Sequence, residues 1–219
     1  MSEYDVIVGV TGASGVIYAR DFTRQLLLQG LTVHLIPTDH AERVWHEELD
    51  ERGNSSVIER DAMLADWSDR LCLSAEQMKR LIIYGDRNVG AAPASGTFQA
   101  RAMVVIPCSM NTLAKIAHGI ADSLLTRSAA VSLKQKRPLV LVPRETPLSL
   151  ADLRNQVAAA EAGAVILPAA PAFYHKPAGV EDLVRYMVCK ICDQLGLPCS
   201  HPVRYGAPAP APAPPPPQS

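Results

Sequence analysis

Apolar, β-branched runs alternate with amphipathic stretches along almost the whole chain. "YDVIVGV", "LTVHLI", "RLIIYG", "AMVVIP", "RPLVLVP" and "GAVILP" read as strands, the last three of them apolar at nearly every position. Between them the pattern gives a helix from Gly15 to about Gln29, ended by Gly30. A second helix, "DHAERVWHEEL", is opened by Asp39, with Glu42 as capping-box partner. A short helix capped by Ser74 has Gln77 at the box position, and further helices start at Ser109, Ser149 and about Gly179. Strands apolar on both faces, alternating with helices, require a mostly parallel sheet covered on both sides. With right-handed crossovers this predicts an α/β, doubly wound, Rossmann-like (flavodoxin-like) three-layer sandwich. Residues 51–73 read as a helical excursion with "GNSS" as a turn.

The end of the chain breaks the pattern. "GAPAPAPAPPPPQS" contains seven of the 18 prolines and no apolar side chain larger than alanine. It supports neither helix nor ladder and reads as a solvated, polyproline-biased tail. The expected plan is one globular domain over residues 1–200 and a disordered Pro/Ala-rich tail over 206–219. With 48% hydrophobic and 20% charged residues in 219, the chain has the composition of a globular protein. A net charge of −1 argues against nucleic-acid binding. No apolar run reaches the length of a membrane span, and "MSEYD" lacks the regions of a signal peptide. The expected compartment is the cytoplasm, with the five cysteines mostly reduced.

In doubly wound sheets ligands sit at the carboxyl ends of the strands, which directs attention to the turns there. "GVTGASG" follows the first strand with glycines at 9, 12 and 15, wider than the dinucleotide spacing. It indicates an anion at a helix N-terminus and leaves the ligand open. "PCSMNTL" places Cys108, Ser109, Asn111 and Thr112 at a second hand-over, as an N-cap or as a polar cradle. "PRETP" sets Arg144 beside Glu145 between stiffening prolines, and "PAFYHKP" sets Tyr174, His175 and Lys176 in one loop. "LTRSAAVSLKQKRP" spreads Arg127, Lys134, Lys136 and Arg137 along a helix, where Arg127 and Lys134 share a face. Cys189, Cys192, Cys199 and His201 could supply four zinc ligands. Cys189 and Cys192, however, fall inside an amphipathic helix, where Cys192 packs near Val188 and Leu195.

Taken together, "TGASGVIYA", "PASGTFQARAMVVIPCSMNTLAKIA", "DSLLTRSAAVSLKQKRPLVLVPRETPLSLADLRN" and "GAVILPAAPAFYHKP" resemble the UbiX-like flavin prenyltransferases, from about residue 4 to Leu197. The resemblance implies an FMN-binding protomer of a homo-oligomer, typically a dodecamer. Its reaction attaches the dimethylallyl group of dimethylallyl monophosphate to N5 and C6 of reduced FMN, without metal. The product, prenylated FMN, serves UbiD-type decarboxylases. On the family pattern Gly12, Ala13, Ser14, Thr38, Ser109, Met110, Asn111, Thr112 and Arg144 match FMN-binding positions. Tyr174 and Lys190 match prenyl-phosphate positions. Ser14, Glu48, Lys134 and Glu145 match proton-handling or phosphate-binding positions, with Ser95 and Arg127 nearby.

The chain departs from the pattern at Lys190, where arginine is common, and at Tyr205 and Val89, where tryptophan is common. Lysine lacks the two-pronged geometry of arginine. A related cysteine-peptide decarboxylase would need a histidine after the second strand, as His40 or His46, and a "PASANT"-like loop where this chain has "PASGTF". A non-catalytic flavin-binding scaffold would not need Glu48, Lys134, Glu145 and Tyr174. A dehydrogenase reading has only Asp39 as a ribose acid.

Overall fold

The computed structural model describes residues 5–49, 71 and 73–199. Nearly all of the expected excursion over 51–73, together with Tyr205, His201 and the 206–219 tail, lies outside them. The elements are β1 (Asp5–Val10), α1 (Val16–Leu28), β2 (Thr32–Pro37), α2 (Asp39–Leu49), α3 (Ala75–Met78) and β3 (Leu81–Ile83). After a 3-10 turn at Ala92–Ala94 come β4 (Ala100–Cys108), α4 (Met110–Ala117), α5 (Leu124–Lys134) and β5 (Leu139–Pro143). The chain continues with α6 (Leu150–Glu161), β6 (Val165–Ile166) and α7 (Val180–Leu195).

The six strands form one sheet in the order β3-β2-β1-β4-β5-β6. Every pair is parallel, so the doubly wound reading holds. Alternation along the strands splits the core in two. Val6, Val8, Val33, Leu35, Val104 and Val142 face α1, α2 and α7, burying Phe22, Trp45 and Ile191. Ile7, Ile36, Met103, Val105 and Leu141 face α4, α5 and α6, burying Leu113, Leu125 and Ala159. Register shifts beside both ends of β4 let Ala100 and Cys108 join the second face rather than the first. β3 and β6, paired on one side only, are shorter than the sequence pattern suggests.

Most caps form where the residues call for them. Ser74, with Gln77, closes a capping box, and Ser109 and Ser149 accept from Thr112 N and Asp152 N. Three expectations need correction. Thr38, not Asp39, caps α2: its Oγ1 accepts from Ala41 N at 3.2 Å, while Asp39 pairs with Arg87 at 2.6 Å. Helix α5 stops at Lys134, and Lys136 turns left-handed at φ 55, so Lys136 and Arg137 lie beyond it. Cys189 and Cys199 form a disulfide rather than two thiols, which removes two of the four ligands a zinc site would use. Cys192 is buried in the first core as expected, and burial pushes its thiol up to about 12.

Candidate active site

The strand order reverses between β1 and β4, and α1 and α4 leave that point on opposite faces of the sheet. A cleft of about 430 Å³ opens here, at the carboxyl ends of the strands, where a doubly wound sheet binds its ligand. Gly12, Thr38, Ser109, Asn111 and Thr112 line it. Thr11, which the sequence reading passed over, ties its two halves together. Its buried hydroxyl donates to Pro107 O at 2.7 Å and accepts from Ser109 N at 2.8 Å.

The glycine turn is built by close approach. A Cβ on Gly12 would stand 2.5 Å from His40 Cβ and 3.3 Å from the His40 carbonyl carbon, so only glycine lets α2 start against the turn. Gly15 sits at φ 105, a left-handed value that glycine adopts without a Cβ clash. It cannot cap α1 with a side chain, and Glu48 does so from the last turn of α2. The Glu48 carboxylate accepts from Gly15 N at 2.9 and 3.0 Å and from Val16 N at 3.0 Å. The helix N-terminus therefore holds an anion, and the anion is the protein's own carboxylate. Arg144, arriving from the end of β5, donates through Nε to Ser14 O at 3.0 Å. Glu48, Ser14 and Arg144 thus share one lip of the turn. Ala13 is buried beneath it.

The second turn is closed by neutral groups. Ser109 Oγ donates to Thr112 Oγ1 at 3.0 Å and accepts from Thr112 N at 3.3 Å. Met110 turns its side chain into the second core, which leaves its backbone for any ligand. Asn111 is exposed on the cleft wall. Burial pushes the neighbouring Cys108 thiol well above its ordinary value, so it packs and does not react. Asp86, Arg87, Lys115 and Asp122 also line the wall, and the sequence analysis gave none of them a role. Asp86 caps α5 by accepting from Leu125 N at 2.8 Å. Lys115 pairs with Asp122 at 2.7 Å, and its hydrogen bond holds the Asp122 carboxyl below the usual range.

The other expected residues lie in three further places. Ser95 bonds Thr97 Oγ1 at 2.9 Å in a loop whose Gly96 carbonyl accepts from Arg137 at 2.8 Å. That loop packs on α5, which carries exposed Arg127 and Lys134. Tyr174 and Tyr186 meet edge to face at 6.2 Å, and Lys190 follows Tyr186 by one turn of α7. Glu145 is exposed and accepts from Thr146 N at 3.1 Å within its own loop.

The Flavoprotein family model matches residues 1–187. The flavin prenyltransferase UbiX of Synechocystis is 43% identical over 194 residues, covering 89% of this chain and 92% of that protein. The chain belongs to the Flavoprotein family, in its UbiX flavin prenyltransferase branch. Two solved structures of this type superpose closely. A crystal structure of AnUbiX (PadA1) with FMN and dimethylallyl pyrophosphate has a TM-score of 0.76 at 34% identity, covering 89% of this chain and 93% of that one. A dodecameric FMN-dependent UbiX-like decarboxylase from Escherichia coli O157:H7 has a TM-score of 0.77 at 33% identity, with coverage of 93% and 100%. The UbiX-type fold expected from the quoted motifs is the fold found.

Proposed function

We propose that this chain is a flavin prenyltransferase, moving the dimethylallyl group of dimethylallyl monophosphate onto N5 and C6 of reduced FMN. The observation that carries the reading is the polar cleft at the switch point, walled by Gly12, Thr38, Ser109, Asn111 and Thr112. A mononucleotide fits these walls: the hydroxyls and amides suit a phosphate and ribityl chain, and the volume lies in the range of small-molecule sites. Reduced flavin supplies two electron-rich positions to the prenyl carbons when bound.

The protein's residues manage charge and protons around that acceptor. Breaking the allylic C–O bond puts negative charge on the departing phosphate, and we assign Lys134, Lys190 and the Tyr174 hydroxyl to receive it. Ser95 and Arg127 extend the same anion-binding surface. Arg144, held by Ser14 O, fixes the lip of the glycine turn beside the flavin. Glu48 and Glu145, with Ser14 between them, carry protons between phosphate and flavin.

The Ser95–Lys134 surface lies at α5 and the Tyr174–Lys190 surface at α7, which pack on opposite faces of the sheet. We propose that neighbouring copies bring these surfaces together to complete the site in a homo-oligomer, a dodecamer. Helix α6 supports this with an outward apolar row: Leu150, Leu153 and Val157 are 62%, 47% and 58% exposed at i, i+3 and i+7. Among the described residues no helix is long and apolar enough to cross a membrane. We place the reaction in the cytoplasm and its product with a UbiD-type decarboxylase. We also read residues 1–200 as the catalytic domain and 206–219 as a passive tail.

One observation favours a second reading. His40 lines the cleft directly after β2, where a cysteine-peptide decarboxylase of this fold needs its histidine. Mass spectrometry of flavin released after incubation with FMN, reductant and dimethylallyl monophosphate separates the two. A flavin heavier by one C5 unit is the expected result. Unmodified flavin, with loss of carbon dioxide from a peptide ending in cysteine, would establish the second reading instead.

A further inference from the structure

Away from the flavin cleft, the loop "PAFYHKP" meets α7 in a cluster of three rings. Lys176 N donates to Phe173 O at 2.9 Å, which makes Phe173–Lys176 a β-turn with Tyr174 and His175 at its corner. Lys176 is left-handed at φ 53. Ala178 N donates to Asp182 Oδ2 at 2.9 Å, so the loop is tied to the first turn of α7. The His175 ring lies parallel to Tyr186, with centroids 5.3 Å apart and planes 5° from coplanar orientation. Tyr174 stands across both, at 82° to His175 and 88° to Tyr186.

Two features show what fixes these rings. Both His175 ring nitrogens are buried, and neither has a hydrogen-bond partner among the described residues. Aromatic faces, not hydrogen bonds, therefore hold the imidazole in place. Tyr174 is 68% exposed at a turn corner, where a lone ring would sample several rotamers. Its edge contacts with the stacked pair select one of them. Hydrogen bonding with Tyr174 also pushes the Tyr186 phenol above its ordinary value.

We infer that Tyr186 and His175 are positioning residues that aim the Tyr174 hydroxyl at the phosphate of the prenyl donor, beside Lys190. The inference rests on the function proposed above. Lys190 lies four residues after Tyr186 and so on the same face of α7. The ring cluster thereby couples the loop that carries the phenol to the helix that carries the cation. Ordering the phenol before the donor arrives removes that entropic cost from binding.

The test is calorimetric titration of the oxidised, FMN-loaded protein with dimethylallyl monophosphate, where no turnover occurs. Tyr186→Ala and His175→Ala are expected to weaken donor binding about three- to tenfold, the scale of one aromatic contact, with FMN affinity unchanged. His175→Phe keeps the stack and is expected to bind the donor like wild type. In a Tyr174→Phe background, Tyr186→Ala should add no further loss, because there is no hydroxyl left to aim. Unchanged affinity in both alanine variants, a loss in His175→Phe equal to that in His175→Ala, or additive losses in the double variant would each overturn the inference. If Tyr186→Ala does not fold, the two His175 variants carry the same test. Failure of the wild-type protein to bind the donor would overturn the proposed function as well, which distinguishes the two failures.

Discussion

At the middle of the sheet two strands hand over to helices that leave on opposite faces, and the two turns close their amides by different means. After β1, a carboxylate from another helix, Glu48, takes the amides of Gly15 and Val16. After β4, the local hydroxyls of Ser109 and Thr112 satisfy each other and Thr112 N. The first turn is thus charged and long-range, bringing an acid and Arg144 together beside Ser14. The second is neutral, closed by its own hydroxyls and by that of Thr11, and it faces the cleft. The difference assigns them different work. At the glycine turn a carboxylate already holds the first amides of α1, while Gly12 still lines the cleft. The serine turn offers an uncharged wall to the cleft, the one the proposed nucleotide would use.

The strongest way to break this arrangement is to add one carbon to the glycine turn. Gly12→Ala puts a Cβ 2.5 Å from His40 Cβ, and backbone as well as side chain stands in the way. Overpacking of this kind costs about 1–3 kcal/mol, and moving α2 away also withdraws Glu48 from α1. Thermal melts should show the lost stability, and flavin-fluorescence titration the loss of FMN binding. A variant that melts and binds FMN like wild type would show that the turn is not built on that approach.

Arg144→Ala is the next largest. It removes the hydrogen bond to Ser14 O and the cation proposed to stand beside the flavin, while leaving Ser109, Thr112 and their mutual bond untouched. Charged hydrogen bonds contribute about 1.5–3 kcal/mol, so FMN affinity should fall by about ten- to a hundredfold with little change in the melting temperature. Equal loss in both measurements would make Arg144 structural.

How much of this was legible in the sequence depends on whether the signal was local. The strands, the caps at Ser74, Ser109 and Ser149, and the parallel sheet follow from short-range periodicity and hydroxyl positions. The amphipathic pattern of α7 also let Cys192 be read as a packing residue. The Thr38 cap and the early end of α5 were local misses; the other features that escaped required partners elsewhere in the chain. Glu48 on Gly15, Thr11 on Ser109 and Arg87 on Asp39 are separated by 33, 98 and 48 residues. The Cys189–Cys199 bond depends on how the chain turns after α7, which no helix pattern specifies. His34 is a further case. It reads as one position in an apolar strand, yet it is buried, 2.9 Å from the Tyr84 hydroxyl and 3.4 Å from Asp5. Burial pushes its pKa down against the pull of Asp5. The candidate site residues came from motif resemblance, and the fold gathers only some of them in one protomer because the rest lie on other surfaces.

The smallest expected effects sharpen the contrast between the two turns most directly. Glu48→Ala and Ser109→Ala each remove a helix cap, and each should cost about 1 kcal/mol. Their dependence on salt should differ. Glu48 is exposed, and its hold on the α1 amides includes attraction to the positive end of the helix, which mobile ions screen. Raising salt from low ionic strength to about 0.5 M, where the screening length is only a few ångströms, should shrink the Glu48→Ala penalty by a few tenths of a kcal/mol. The Ser109→Ala penalty comes from a neutral hydroxyl bonded at 3.0 Å to Thr112 Oγ1 and should not change. Paired chemical-denaturation curves in urea, which adds no ions, measure both. A Glu48 penalty as insensitive to salt as that of Ser109 would mean that the carboxylate caps α1 only as a hydrogen-bond acceptor. Glu48→Gln would then restore wild-type stability, and the charged character assigned to the first turn would be lost.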